Sequence, residues 1–230
     1  MAEIFDQHRA SYNRTVDDSI SFSGLKHDFF MQAKADLIER RLRADGFLEP
    51  QPRLKCVDIG CGVGTMHPYV SPLFASIDGC DVSAESIERA RRENPRINYA
   101  AYKAPRLPYD DASFDFATAV CVVHHVPPQD WARLFSEMRR VLRPGGLACV
   151  IEHNPLNPAT RLAVLRCPFD DDAVLLRSAT THRLMRGAGF GDISTEFFLL
   201  LPTVSPVARR IERLMSSFPI GAQYACIAHA

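Results

Sequence analysis

The chain lacks an excess of charge of either sign, since its 230 residues carry 27 Lys plus Arg against 27 Asp plus Glu. With no basic surplus there is no electrostatic footprint for nucleic acid or an anionic membrane, so the expected partner is a small molecule, met by a monomer or homodimer. No apolar run approaches the roughly 18 to 20 residues that span a bilayer. Residues 1–10 carry charges where a secretory signal would be apolar, and the expected location is the cytoplasm. The seven cysteines include no C-x-x-C pair. That argues against a metal or disulfide framework and for reduced core or loop thiols. Internal repeats and low-complexity tracts are also missing. What remains is a chain with 47% hydrophobic residues, enough for one large domain or one domain with a cap.

Within it, Val57-Asp58-Ile59-Gly60-Cys61-Gly62-Val63-Gly64 is an apolar run that breaks into three alternate glycines, and Asp81 ends a second apolar run. This order predicts a strand, a tight turn, a helix and a second strand around a nucleotide-type ligand, because glycine accepts positive φ and leaves bare backbone against the ligand. A dinucleotide fingerprint would read G-x-G-x-x-G and seat a pyrophosphate on the helix N-terminus. Here Gly64 comes one position early, Thr65 takes the dinucleotide position, and Asp58 puts a carboxylate at the end of the first strand. A negative charge there opposes a pyrophosphate and suits a ligand bearing an ammonium and a sulfonium. S-adenosylmethionine (SAM) has both and no phosphate.

The rest of the pattern alternates strand and helix, as in a doubly wound parallel α/β sheet. Strands are expected near 54–59, 76–81, 97–100, 115–121, 146–152, 192–200 and 223–229. Helices are expected near 65–74, 84–93, 130–142 and 180–188, with Ser83 capping the second of these. Residues 1–50 read as a helical cap with a helix over 27–43, whose apolar positions are Phe29, Phe30, Ala33, Leu37, Ile38 and Leu42. The remainder, 51–230, reads as the ligand-binding domain. Two long connections, 153–178 and 202–221, are expected to act with the cap as lids.

Five ordered segments resemble the class I SAM-dependent methyltransferases of small-molecule type. They are Val57 to Met66, Gly79-Cys80-Asp81-Val82-Ser83, Leu107 to Asp115, Val122-Val123-His124-His125-Val126, and Val141-Leu142-Arg143-Pro144-Gly145-Gly146. The resemblance implies a Rossmann-like, mostly parallel, seven-stranded sheet ending in an antiparallel hairpin. It also implies that SAM is the cofactor and S-adenosylhomocysteine (SAH) the product. On that basis Asp58 and the loop Gly60, Cys61, Gly62 and Gly64 hold the methionine part, Asp81 accepts the ribose hydroxyls and Val82 packs on the adenine. Family members usually place an acidic residue where this chain has Lys103, which can only donate. Either a backbone carbonyl at Lys103 or Ala104 reads the adenine edge in its place, or the local register differs. Tyr12 lies in a segment similar to one that folds over SAM in many members.

In open α/β sheets the ligand sits beyond the carboxyl ends of the strands, which selects Cys121 to His125 and Glu152 to Asn154 as further candidates, Cys121 as a cofactor contact. Methyl transfer to an alcohol or phenol needs a base, and histidine titrates in the right range. His153 is the preferred base, His124 the second candidate, and Glu152 either orients the His153 imidazole or binds an acceptor hydroxyl. His125, Asn154 and Arg161 are the expected acceptor contacts. Each also has a structural reading: His125 as sheet-to-helix packing, Asn154 and its neighbours as a plain turn. Asp170-Asp171-Asp172 is expected to start a helix, with no metal ligand assigned. A carbon or nitrogen acceptor, a SAM-binding partner without transfer activity, and an NAD(P)-dependent oxidoreductase stay open as alternatives. The last would want a hydride site such as Tyr-x-x-x-Lys, a spacing that occurs only at Tyr99 to Lys103.

Overall fold

A computed structural model describes residues 18–21, 24–48, 54–201, 203 and 205–230. Seven strands form one sheet: β1 (Lys55–Ile59), β2 (Ser76–Asp81), β3 (Asn98–Ala101), β4 (Phe114–Val120), β5 (Leu142–His153), β6 (Gly191–Phe198) and β7 (Gln223–His229). Their order is β3-β2-β1-β4-β5-β7-β6. The first five run parallel, whereas β7 pairs antiparallel with both β5 and β6. The order reverses between β1 and β4, so their carboxyl ends open a crevice where a ligand fits.

The central strands are buried on both faces because helices cover both. Successive side chains alternate between two cores. Val57, Ile59, Ala117, Ala119, Ala148 and Val150 point to one. Cys56, Phe116, Leu147, Cys149 and Ile151 point to the other. The first core is closed by α4 (Trp131–Val141) and α6 (Ser178–Gly187), and the second by α1 (His27–Ala44) and α2 (His67–Val70). Each fully buried Val, Leu or Ile contributes about 1.5 to 3 kcal/mol. Further helices are α3 (Ala84–Glu93), α5 (Pro158–Arg166) and α7 (Pro206–Leu214).

Most expected elements stand where the sequence put them. Ser83 caps α3, its hydroxyl accepting from the Ser86 amide at 3.1 Å. Asn157 caps α5 in the same way, accepting from Thr160 at 3.1 Å, with Pro158 in the first turn. Three expectations need correction. The helix expected over 65–74 is only α2 followed by a 3-10 turn at Ser71–Leu73, because Pro72 lacks an N–H and its ring crowds the preceding turn. On α1 the buried stripe is Met31, Lys34, Ala35, Leu37, Ile38 and Leu42. Phe29, Phe30 and Ala33 sit only partly buried at its edge. The acidic run at 170–172 starts no helix: Asp170 closes a 3-10 turn, and α6 begins only at Ser178. No helix among the described residues is long and apolar enough to cross a membrane.

Candidate active site

The loop after β1 shows why glycine is required there. Gly60 has φ +70°, and a Cβ would lie 2.5 Å from a Val122 methyl. Gly64 has φ +75°, and its Cβ would strike the Tyr99 hydroxyl at 2.5 Å and His67 Nδ1 at 3.0 Å. The space so kept is filled by a buried chain of polar groups: Tyr99 OH to His67 Nδ1 at 2.5 Å, and His67 Nε2 to Asp58 Oδ2 at 3.0 Å. With its proton on Nε2, the imidazole donates to Asp58 and accepts from Tyr99, so every partner is satisfied. Asp58 is thereby fixed with one oxygen spare for a ligand. Asp81 is fixed by two amides, Gly62 N on Oδ2 at 2.9 Å and Ser83 N on Oδ1 at 2.8 Å. Burial pushes its carboxyl up, while those amides pull it down.

Asp58, Gly60, Cys61, Gly62, Asp81 and Val82 all border one cavity of about 950 Å³. That is near the upper end of single-ligand pockets, which leaves room for a donor and an acceptor together. The cradle suits SAM. Its wall carries the Asp58 and Asp81 carboxylates and the apolar side chain of Val82, 47% exposed. Gly64 lies behind the loop instead, making room for His67 and Tyr99. Lys103 and Ala104 are exposed and away from the cavity, whereas Tyr102 borders it. Tyr12 is outside the described residues.

The other end of the cavity is built by Phe29, Phe30, Met31 and Lys34 of α1, by the β4 end, and by α5. Cys121 holds φ +56° just past β4, a left-handed conformation that costs a non-glycine residue about 1 to 2 kcal/mol. Its thiol lies beside Lys34, His153 and Gln223, the last donating to sulfur at 3.5 Å. Burial alone would raise the thiol, but the Lys34 ammonium and the His153 ring outweigh it and bring it down to about 7. Lys34 is 5% exposed and makes no hydrogen bond or ion pair with another described residue. Iodoacetamide is therefore expected to label Cys121 at a rate that rises through about pH 7. Lys34→Met, which removes the neighbouring cation, should slow labelling at pH 7 by several-fold. Equal rates for the two proteins would refute this electrostatic account.

Glu152 is fully buried and points away from His153. Its Oε1 accepts from the Val122 and Val123 amides at 3.0 and 2.7 Å, and its Oε2 meets His124 Nδ1 at 2.5 Å. It orients His124, not the preferred base, and it does not reach the cavity. Burial works against a charge on His124, but Glu152 and Asp170 prevail and hold it well above the usual imidazole range. An imidazolium clamped between two carboxylates is a poor base, so that role for His124 does not fit. His125 is pushed down to about 4 by burial and by the charge on His124. His153 borders the cavity with His124, His125 and Asp170. Burial lowers its basicity, yet the Cys121 thiolate raises it further.

Two expected acceptor contacts are placed elsewhere. Asn154 is 2% exposed, and its amide nitrogen donates to Pro219 O at 3.1 Å and Gly221 O at 2.8 Å. It ties the end of β5 to the turn before β7. Arg161 is exposed on α5, one residue past Thr160. The cavity is met by Thr160, Ala163, Val164 and Cys167, at helical spacing that turns Arg161 outward. His67, Lys34, Tyr102 and Gln223 were not singled out from the sequence, and Asp170 was read only as part of a helix start. A lysine on the apolar stripe of α1 was the readable signal for Lys34. The others depend on contacts far apart in the chain.

Residues 57–150 match the family profile described as a methyltransferase domain. Squalene methyltransferase 1 of Botryococcus braunii is 31% identical over 156 residues, 65% of this chain and 39% of that protein. Demethylmenaquinone methyltransferase of Chlorobaculum tepidum is 33% identical over 120 residues, 52% of this chain and 47% of that protein. The chain thus spans about half or less of the length of these curated relatives. The solved SAM-dependent methyltransferase of Thermotoga maritima superposes with a TM-score of 0.70 over 100% of this chain and 99% of its own, at 20% identity, which speaks to the fold. By its glycine loop, its sheet order and this matched core, the chain carries a methyltransferase domain over residues 57–150 on the fold of the class I, Rossmann-like SAM-dependent methyltransferases.

Proposed function

We propose that the chain is an active enzyme that methylates a small molecule on oxygen, with His153 as the base. One observation carries this reading: a single cavity runs from Asp58 and Asp81 to His153, so a donor held at one end can face an acceptor at the other. When bound, SAM supplies an electrophilic methyl group on sulfur. The chain's own residues then align the acceptor and exclude water, the task of Phe29, Phe30 and Met31 along the cavity wall. His153 takes the hydroxyl proton, made a stronger base by the Cys121 thiolate beside it.

The test is SAH formation over a panel of phenols, quinols, sugars and hydroxy acids, with the methylated atom located in each product. His153→Ala is expected to lower kcat about 100-fold or more while SAH affinity stays within a factor of two or so. Unchanged turnover removes His153 from the mechanism, and SAH binding without turnover on any acceptor favours a non-catalytic SAM-binding partner. The apolar wall, together with relatives named for squalene and demethylmenaquinone, supports a second reading in which a carbon of an apolar acceptor is methylated. Methyl groups found only on carbon would select it.

A further inference from the structure

We propose that His124, His125 and Asp170 form a site for one divalent transition-metal ion, on the acceptor side of the cavity. Their ligand atoms lie within 4.8 Å of one another, and all three residues border the cavity. The spacing is informative. His124 Nε2 and His125 Nε2 stand 3.4 and 3.5 Å from the same oxygen, Asp170 Oδ1. That is long for a hydrogen bond to a carboxylate, which settles near 2.7 to 2.9 Å. It matches the roughly 3.4 Å between ligand atoms that share a tetrahedral ion about 2.1 Å away.

The outer partner of His124 is also in place. A histidine that binds metal through one nitrogen usually donates its other N–H to a carboxylate or carbonyl, which fixes the ring. Here Glu152 Oε2 holds His124 Nδ1 at 2.5 Å, whereas Asp172 Oδ1, 3.7 Å from His125 Nδ1, is a charged neighbour beyond hydrogen-bond range. Both rings present Nε2 to Asp170. Glu152 is locked in turn by the amides of Val122 and Val123. Side-chain exposures of 1% for His124, 12% for His125 and 10% for Asp170 put the site inside the cavity wall, not on the surface. The assignment departs from the expectation drawn from the cysteines and the acidic run, because two adjacent histidines and a carboxylate distant in sequence leave no spacing motif.

Two imidazoles and one carboxylate favour zinc, iron(II), cobalt(II) or manganese over magnesium and calcium, which prefer oxygen ligands throughout. Three protein ligands leave at least one position open to the cavity. An oxygen of the acceptor fits that position, and this role rests on the oxygen-acceptor reading above. Binding of the ion itself does not.

The full chain, freed of metal with a chelator, is to be titrated with Co²⁺ and Zn²⁺ by calorimetry, with Co²⁺ also followed by visible absorption. Mg²⁺ serves as the comparison. The expected result is one Co²⁺ or Zn²⁺ per chain, bound more tightly than Mg²⁺, with a cobalt spectrum of low coordination number. His125→Ala and Asp170→Asn should each weaken binding beyond the roughly 10 to 100-fold lost with an outer partner, while His229→Ala, remote from the cavity, leaves it unchanged. Should one variant fail to fold, judged by its melting curve, the other gives the same reading. The proposal is overturned if the wild-type chain binds neither ion at millimolar concentration, or if neither substitution weakens binding. Because no acceptor or SAM is present, either result leaves the methyl-transfer reading to its own assay.

Discussion

Glu152→Ala is expected to destabilise the fold by about 3 to 5 kcal/mol, the range for removing one partner from a buried ion pair. For a chain of this size that lowers Tm by roughly 6 to 20 °C. The physical reason is what the carboxylate leaves behind. The Val122 and Val123 amides lose their acceptor, and His124 keeps a buried charge with only Asp170 opposite. Glu152→Gln keeps an acceptor for those amides but not the charge, so it should lose clearly less. Urea unfolding of the three proteins measures both. If alanine costs under about 1 kcal/mol, or as little as glutamine, the buried network does not hold the segment after β4 in place.

The residues that were legible in the sequence are those whose partners lie nearby in the chain. The glycine loop, Asp81 and Ser83 form one short strand-turn-helix unit, and its local chemistry sets the ligand wall. The alternation of strand and helix predicted a doubly wound sheet, and the resemblance supplied the antiparallel hairpin that β6 and β7 form. Less legible were side chains whose direction depends on tertiary packing. Glu152 stands near the end of β5 in an otherwise apolar run, so its sequence position suggested a cavity-facing acid. The pleat instead turns it toward the segment after β4, where two amides and a histidine need an acceptor.

Asn154 and Arg161 show the same limit from the other side. Both follow a strand end in a polar stretch, which is where acceptor contacts belong. Yet Asn154 is drawn to the carbonyls of Pro219 and Gly221, and the phase of α5 sends Arg161 outward. His67 was hidden for a related reason. It sits nine residues past Asp58, and only the tight turn at Gly64 brings the two together. Asp170 lies far in sequence from the two histidines it meets.

The second large effect is expected at Asp81. Asp81→Ala should weaken SAH binding by roughly 1 to 3 kcal/mol, about 5 to 150-fold in affinity, because two losses act together. The ribose loses its charged acceptor, and the Gly62 and Ser83 amides lose the oxygens that hold the loop against the ligand. Asp81→Asn retains one acceptor oxygen, so it keeps one of those amides and should fall between the two. Calorimetry with SAH and with NAD separates this from a general loosening of the fold, since Asp58 and its His67 partner are untouched. NAD bound tightly with no response to SAH would overturn the cofactor assignment, as a pyrophosphate would then rest where the carboxylate of Asp58 stands. Wild-type SAH affinity in Asp81→Ala would instead keep the cofactor and remove Asp81 from its recognition. The expected order, aspartate over asparagine over alanine for SAH with no tight NAD binding in any of the three, follows from one feature: a crevice lined by carboxylates, suited to a cationic donor without phosphate.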